Sequence, residues 1–122
     1  MRDRPNGNEL AILVKRVEAG DLNIEVPKDK KYRSLMLVSA IEISKRQRET
    51  GDDPEREEHY RLSVIMKKKD TLINLNKNLS DAIRKGNFDF ETISRDKVRN
   101  HLWLTAIDRV YESRPKVLKE LS

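Results

Sequence analysis

Apolar residues recur at three- and four-residue intervals along most of this chain, the period of helices that bury one face. Leu10, Leu13, Val14 and Val17 share such a face, with Asn8 placed as an N-cap and Gly20 as a stop. Between Asp21 and Pro27 the period changes to two, through Leu22, Ile24 and Val26. A lone strand has no partner, so this segment is predicted to be an extended connector laid on the helices. Lys31 to Thr50 holds neither Gly nor Pro and ends at Gly51. Leu35, Met36, Leu37, Val38, Ala40, Ile41 and Ile43 occupy most of its circumference, which predicts a central helix around which the core is built. Ser39, Glu42 and Arg46 break that surface as one polar stripe, either a solvent face or a polar groove.

Asp53, Pro54 and Glu55 supply an acceptor, a pre-set φ and a first-turn acid, the start of a third helix running to about Lys69. Its apolar patch is Leu62, Ile65 and Met66. Asp70 or Thr71 caps a fourth helix, whose face carries Leu72, Leu75, Leu79, Ala82 and Ile83 and which stops at Gly86. In the loop that follows, Phe88 and Phe90 are placed to pin the backbone to the core. Ser94 opens a fifth helix that persists to about Glu112, with Val98, Leu102, Trp103, Ala106, Ile107, Val110 and Tyr111 as a broad apolar arc. Pro115 interrupts it, and a last turn from Lys116 packs Val117, Leu118 and Leu121 back onto the helices. With no repeat and no domain-sized linker, the pattern predicts an all-α fold: one domain spanning residues 1–122, a single helical bundle of five or six helices.

Length and composition narrow the classes. A chain of 122 residues supports one core, and 39% charged against 36% hydrophobic residues makes that core thin. There is no cysteine, hence no disulfide, thiolate metal site or cysteine nucleophile, and a reducing cytoplasm is the expected location. The first ten residues carry Arg2 and Arg4 without an apolar stretch, so no secretory signal is expected. The longest aliphatic run is Leu35 to Val38, far from the roughly 20 residues a bilayer requires. The net charge of +5 arises from 26 basic and 21 acidic residues, a surface of both signs that tolerates an anionic partner without demanding nucleic acid.

The residues able to carry chemistry are few. His59 and His101 are the only histidines and neither belongs to a metal-ligand pattern, while the four scattered glycines form no phosphate loop, so no metal or cofactor is expected. His101, Thr105 and Asp108 share one helical face, but about 10 Å separates the ends of that stripe. A solvent-facing stripe is therefore favoured over a base with its orienting acid. Glu42 and Arg46 stand in the order that suits a surface ion pair, favoured over a ligand pocket. Asn76 lies within about 40° of Leu72, Leu79 and Ile83 and so turns to the core side, where its amide must find partners. It either bonds the backbone of a neighbouring helix or loop, or lines a cleft with Arg84. The candidate binding residues are Asn76, Arg84, Arg46 and His101, with no catalytic residue among them. Basic clusters at Lys28 to Lys31, Lys45 to Arg48 and Lys67 to Lys69 lack interleaved aromatics, a weak footprint for nucleic acid.

Pro5 with Glu9, Leu10 and Val14, Tyr32 leading into the helix that ends with Arg46, and His101-Leu102 with Thr105 and Pro115 form one pattern with a more distinctive stretch. That stretch is Leu75-Asn76, Leu79, Ala82-Ile83-Arg84 and Gly86, with Asp89 following in the wider pattern. Together they resemble a family of small uncharacterised helical bacterial proteins encoded beside aminoglycoside-phosphotransferase-like kinases and acyl-CoA dehydrogenases. Arg33 and Ser39 depart from it, standing where the family carries His and Asn, and the chain is more basic and poorer in alanine. The resemblance implies a non-catalytic accessory subunit of a kinase that acts on hydroxyacyl-CoA in acid catabolism.

The sequence expectation is accordingly an accessory subunit without turnover of its own, bound to an aminoglycoside-phosphotransferase-like kinase. The alternatives are a small basic nucleic-acid-binding or regulatory protein, and an enzyme with an unfamiliar site around Asn76, Arg84 and His101. A homo-oligomer stays open. The apolar arcs of the second and fifth helices look wider than one small core needs, and surplus apolar surface marks interfaces. Trp103 and Tyr111 are the expected anchors, with core packing an equal alternative for Trp103.

Overall fold

The computed structural model describes residues 1–21, 23–89 and 93–121, and these form six helices with no strand among the described residues. They are α1 (Gly7–Glu18), α2 (Lys30–Thr50), α3 (Asp53–Met66), α4 (Leu72–Arg84), α5 (Ile93–Ser113) and α6 (Pro115–Leu121). The fold class is all-α helical, as the periodicity predicts. Ile24 and Val26 sit in an irregular connector, and the expected contributions of Leu22 and Phe90 lie outside the described residues, as does that of the Leu121 side chain. No helix among the described residues is long and apolar enough to cross a membrane. The chain divides into two compact units, Arg2–Gly51 and Asp52–Ser122, the latter together with Met1.

In the first unit α1 packs along α2. The N-cap of α1 is Asn6 rather than Asn8, because Asn6 has a glutamate three residues on. Its Oδ1 accepts from the Glu9 N–H at 3.0 Å, while Glu9 Oε1 accepts from the Asn6 N–H at 3.2 Å. The helices meet where side chains are small: a Cβ added at Gly7 would lie 3.0 Å from Gln47 Cβ and 3.2 Å from Ser44 Cα. The Gly7 N–H donates to Gln47 Oε1 at 2.7 Å, which occupies an otherwise orphaned helix-start donor. At the far end of α2, the Arg2 guanidinium donates to the Gly51 carbonyl at 2.6 Å and Thr50 Oγ1 at 3.1 Å, placing positive charge at the negative pole.

The expectation that the core is built around the Lys31 to Thr50 helix is not met. The only buried residue of α2 is Ser44, and Leu35, Met36, Val38 and Ile41 are exposed. Its apolar residues are spread around the circumference, and the 12-residue α1 can cover only one strip of it. A helix that concentrates fewer apolar residues on one face buries them more completely.

That helix is α4, in the second unit. Thr71 caps it, its Oγ1 accepting from the Asn74 N–H at 3.2 Å, and its face buries Leu75 and Leu79. The core is Leu62 from α3, Leu75 and Leu79 from α4 and Val98 from α5, with Ile65, Met66, Leu72 and Phe88 packed around it. Leu62 and Leu75 are 0% exposed. Helix α3 packs on both α4 and α5, and α6 returns onto α5. Asp52, not Asp53, holds the N-cap position of α3, without a side-chain hydrogen bond. The helix ends at Met66, three residues before the expected Lys69, where Lys67 turns left-handed at φ 52°. Gly86 has φ 80°, where any side chain is strained, and a Cβ there would stand 2.7 Å from Asp89 Oδ2, so the Asp89 carboxylate would also have to swing aside.

Candidate functional site

The second unit contains a polar cluster inside its helical core. Glu58 and Arg61 stand one turn apart on α3, Glu58 on the same stripe as Leu62, Ile65 and Met66. Glu58 is 1% exposed; its Oε2 accepts from Asn76 Nδ2 on α4 at 3.2 Å, and its Oε1 accepts from the α-ammonium of Met1. Arg61 Nε donates to His101 Nδ1 on α5 at 3.0 Å, and its Nη2 donates to Thr105 Oγ1 at 3.1 Å. Three helices are thus tied through two charged residues of α3.

This arrangement corrects the solvent-facing reading of the His101, Thr105 and Asp108 stripe. His101 is 2% exposed and Thr105 is half-buried. Their one-turn spacing is used by a third residue, because a guanidinium carries parallel donors and reaches both acceptors at once. Asn76 does turn to the core side, but its partner is a carboxylate rather than a backbone group. Arg84 is exposed on α4, 3.7 Å from Asp81, and the structure does not bring it together with Asn76. Arg46 belongs to the other unit, where it lies 3.9 Å from Glu42. Of the four candidates, only Asn76 and His101 converge, through α3. Glu58 and Arg61 were not anticipated. A signal existed for Glu58, since a glutamate four residues before Leu62 lies on an apolar face and needs a partner there.

Burial pushes the His101 imidazole below its ordinary pKa, the Arg61 guanidinium pushes it further, and Glu58 opposes both. The Arg61 Nε–H donates to Nδ1, so the folded ring is neutral with its proton on Nε2. A group held neutral by folding binds more protons when unfolded. Stability from His101 is therefore complete above the unfolded value of about 6.5 and is lost as pH falls from there through the depressed folded value. Urea midpoints measured at pH 7.5 and 5.5 should fall further for the wild type than for His101→Gln, which cannot titrate. Equal slopes for both proteins would remove His101 from the acid response.

A second feature adjoins the core on a neighbouring face of α5, with Val98 common to both. An open groove of about 430 Å³ runs between the end of α4 and α5, walled by Ile83, Phe88, Val98, Leu102, Trp103 and Ala106. Trp103 is 60% exposed, so the core-packing alternative for this residue does not hold. Tyr111, two turns further on, is 45% exposed and outside the groove. Among the described residues no group of three His, Asp or Glu side chains is placed to hold a metal ion.

The family described as a domain of unknown function, DUF6285, matches residues 24–117, most of both units. No curated protein and no solved structure matches the chain.

Proposed function

We propose that this chain, which belongs to the DUF6285 family of domains of unknown function, is a non-catalytic accessory subunit of a kinase-like enzyme. The partner is a cytoplasmic aminoglycoside-phosphotransferase-like kinase acting on hydroxyacyl-CoA, as the family resemblance implies. One observation carries the reading: the single tryptophan stands 60% exposed beside Leu102 and Ala106, on a helix whose neighbouring face already holds the unit together. Contiguous exposed apolar surface around an aromatic is the usual mark of an interface, and tryptophan is the residue most enriched at its energetic centre. The polar cluster faces inward and joins the unit's own helices, so it supports a scaffold rather than a substrate pocket.

Co-expression with a kinase-like protein encoded beside this gene tests the proposal. A complex should co-elute on size-exclusion chromatography and phosphorylate a hydroxyacyl-CoA faster than the kinase alone. Trp103→Ala should weaken the complex by about 2 kcal/mol, roughly thirtyfold in affinity, and Tyr111→Ala by less. Separate elution, together with kinase activity indifferent to this protein, ends the accessory reading. Sequence-selective DNA binding at physiological salt would put a regulatory role in its place.

A further inference from the structure

The first unit has a groove of its own. Gly7 meets Ser44 and Gln47, while Val17 and Glu18 line a hollow with Leu37, so α1 runs antiparallel along α2. Just past the crossing at Gly7 lies a groove of about 310 Å³, whose apolar lining is Ala11, Val14 and Ile41. Its polar lining is Ser44, Lys45 and Arg48 from α2, with Lys15 and Glu18 from α1. Ser44 is 5% exposed, the one buried residue of α2. Its hydroxyl is bonded to no group of the chain, yet the fully enclosed and unpartnered side-chain atoms among the described residues all belong to Arg109. The Ser44 hydroxyl therefore opens on the groove. Arg48 stands one turn from it on the same face of α2, and Lys45 is its neighbour in sequence. Lys15, Lys45 and Arg48 enter no hydrogen bond or ion pair among the described residues. The nearby acids are engaged elsewhere, Glu42 with Arg46, Asp21 with Arg16 and Glu9 with Arg4. Leu22, the only residue of this unit outside the description, carries no charge.

We infer that this groove binds a small soluble phosphomonoester, its phosphate against Ser44, Lys45 and Arg48 and its organic body along Val14 and Ile41. The inference uses none of the residues that carry the accessory-subunit reading and is independent of it. Three cations against the single carboxylate of Glu18 leave the lining two positive charges in excess, the charge that a phosphomonoester dianion cancels. A hydroxyl, an ammonium and a guanidinium are all donors, and a phosphate offers three terminal oxygens to receive them, where a carboxylate offers two. Glu18 also lines the hollow beside Leu37, which places it at the end of the groove away from Arg48. It opposes a second negative charge there, so the ligand carries one phosphate and an uncharged or cationic tail. The volume is at the small end of ligand sites. A nucleic-acid strand fits less well, because the lining has no aromatic side chain on which a base could stack.

The probe is butyl phosphate, compared with pentanoate and butyl sulfate as its carboxylate and monoanionic counterparts, and the readout is the backbone amide shifts of the full chain. Butyl phosphate should move the amides of residues 11–15 and 44–48 and bind at least about tenfold tighter than either counterpart. The lining holds no histidine, so a rise in affinity of about threefold from pH 5.5 to 7.5 reports the second ionisation of the phosphate, at about pH 6. Lys45→Gln combined with Arg48→Gln should weaken binding at least about tenfold and Ser44→Ala about threefold, both with the wild-type helical circular dichroism. The same charge removed by Lys30→Gln with Lys31→Gln, roughly 20 Å away along α2, should leave affinity within about twofold. Equal losses from the two double variants overturn the inference, since they reduce it to general surface charge. Equal affinity for the three ligands, or no shift at about 10 mM butyl phosphate, overturns it as well. So does a response to a single-stranded oligonucleotide or to phosphatidic acid vesicles without one to butyl phosphate, which gives these cations to a polymer or a membrane surface.

Discussion

Leu62→Ala is expected to destabilise the unit formed by α3 to α6 by about 3 kcal/mol, while Val38→Ala in α2 changes stability by less than about 0.5 kcal/mol. Leu62 has no exposed surface and meets Leu75, Leu79 and Val98, so truncation removes the transfer free energy of three carbons and leaves a cavity that rigid helices cannot close. A unit of this size holds roughly 4 to 10 kcal/mol in all, so the loss is a large share of the total. It should appear as a drop of about 15 °C in the melting temperature. Val38 is exposed, and alanine in its place gives up little contact and gains helix propensity. Trp103 fluorescence follows the second unit and far-ultraviolet circular dichroism follows both. A larger loss from Val38→Ala than from Leu62→Ala would return the core to α2.

The contrast between these two positions shows what could be read from the sequence and what could not. Helix positions were legible because Gly20, Gly51 and Gly86 stop helices locally and Pro54 and Pro115 start them, with no reference to distant residues. The location of the core was not legible. Counting apolar residues favours α2, but burial depends on how many neighbours share a face, and that is a property of topology. Helix α4 has a sharply one-sided pattern and a short path to α3, and it buries Leu75 and Leu79. The polar residues divide in the same way. The inward direction of Asn76 followed from its position between Leu72 and Leu79. Its bond to Glu58, and the burial of His101 under Arg61, required two helices to be brought to a third across spans of 18 and 40 residues. A one-helix wheel assigns His101 to the solvent because its stripe-mates are polar; it cannot foresee a guanidinium arriving from another helix to satisfy two of them. Trp103 stayed divided for a different reason, since an aromatic on an apolar arc suits an interface as well as a core, and only its 60% exposure removes the core alternative.

Asn76→Asp should be the most damaging conservative change in the polar cluster, with a pH dependence opposite to that of His101. The wild-type amide donates to Glu58 Oε2 at 3.2 Å, and Glu58 is 1% exposed. The substitution keeps the shape, removes the donor and sets a second carboxylate against the first where little water can screen them. Two carboxylates at that separation do not both ionise readily, so folding holds a proton between them that the unfolded chain releases near pH 4. Because the folded state then binds more protons, the variant's stability falls as pH rises through the raised value of the introduced carboxyl and recovers on acidification. At pH 7 the expected cost is about 3 kcal/mol, made up of a lost charge-assisted hydrogen bond and the work of protonating a carboxyl well above its usual range. Asn76→Leu removes the donor without adding charge, so it should cost about 2 kcal/mol with no such pH slope. Urea denaturation of the three proteins at pH 5 and pH 7.5, followed at Trp103, separates these outcomes. The expected pattern is a gap between the Asp and Leu variants that is wide at pH 7.5 and narrows at pH 5. A gap that stays constant across that range would mean that Asn76 and Glu58 are not in contact in solution, and the tie between α3 and α4 would then rest on Leu62, Leu75 and Leu79 alone.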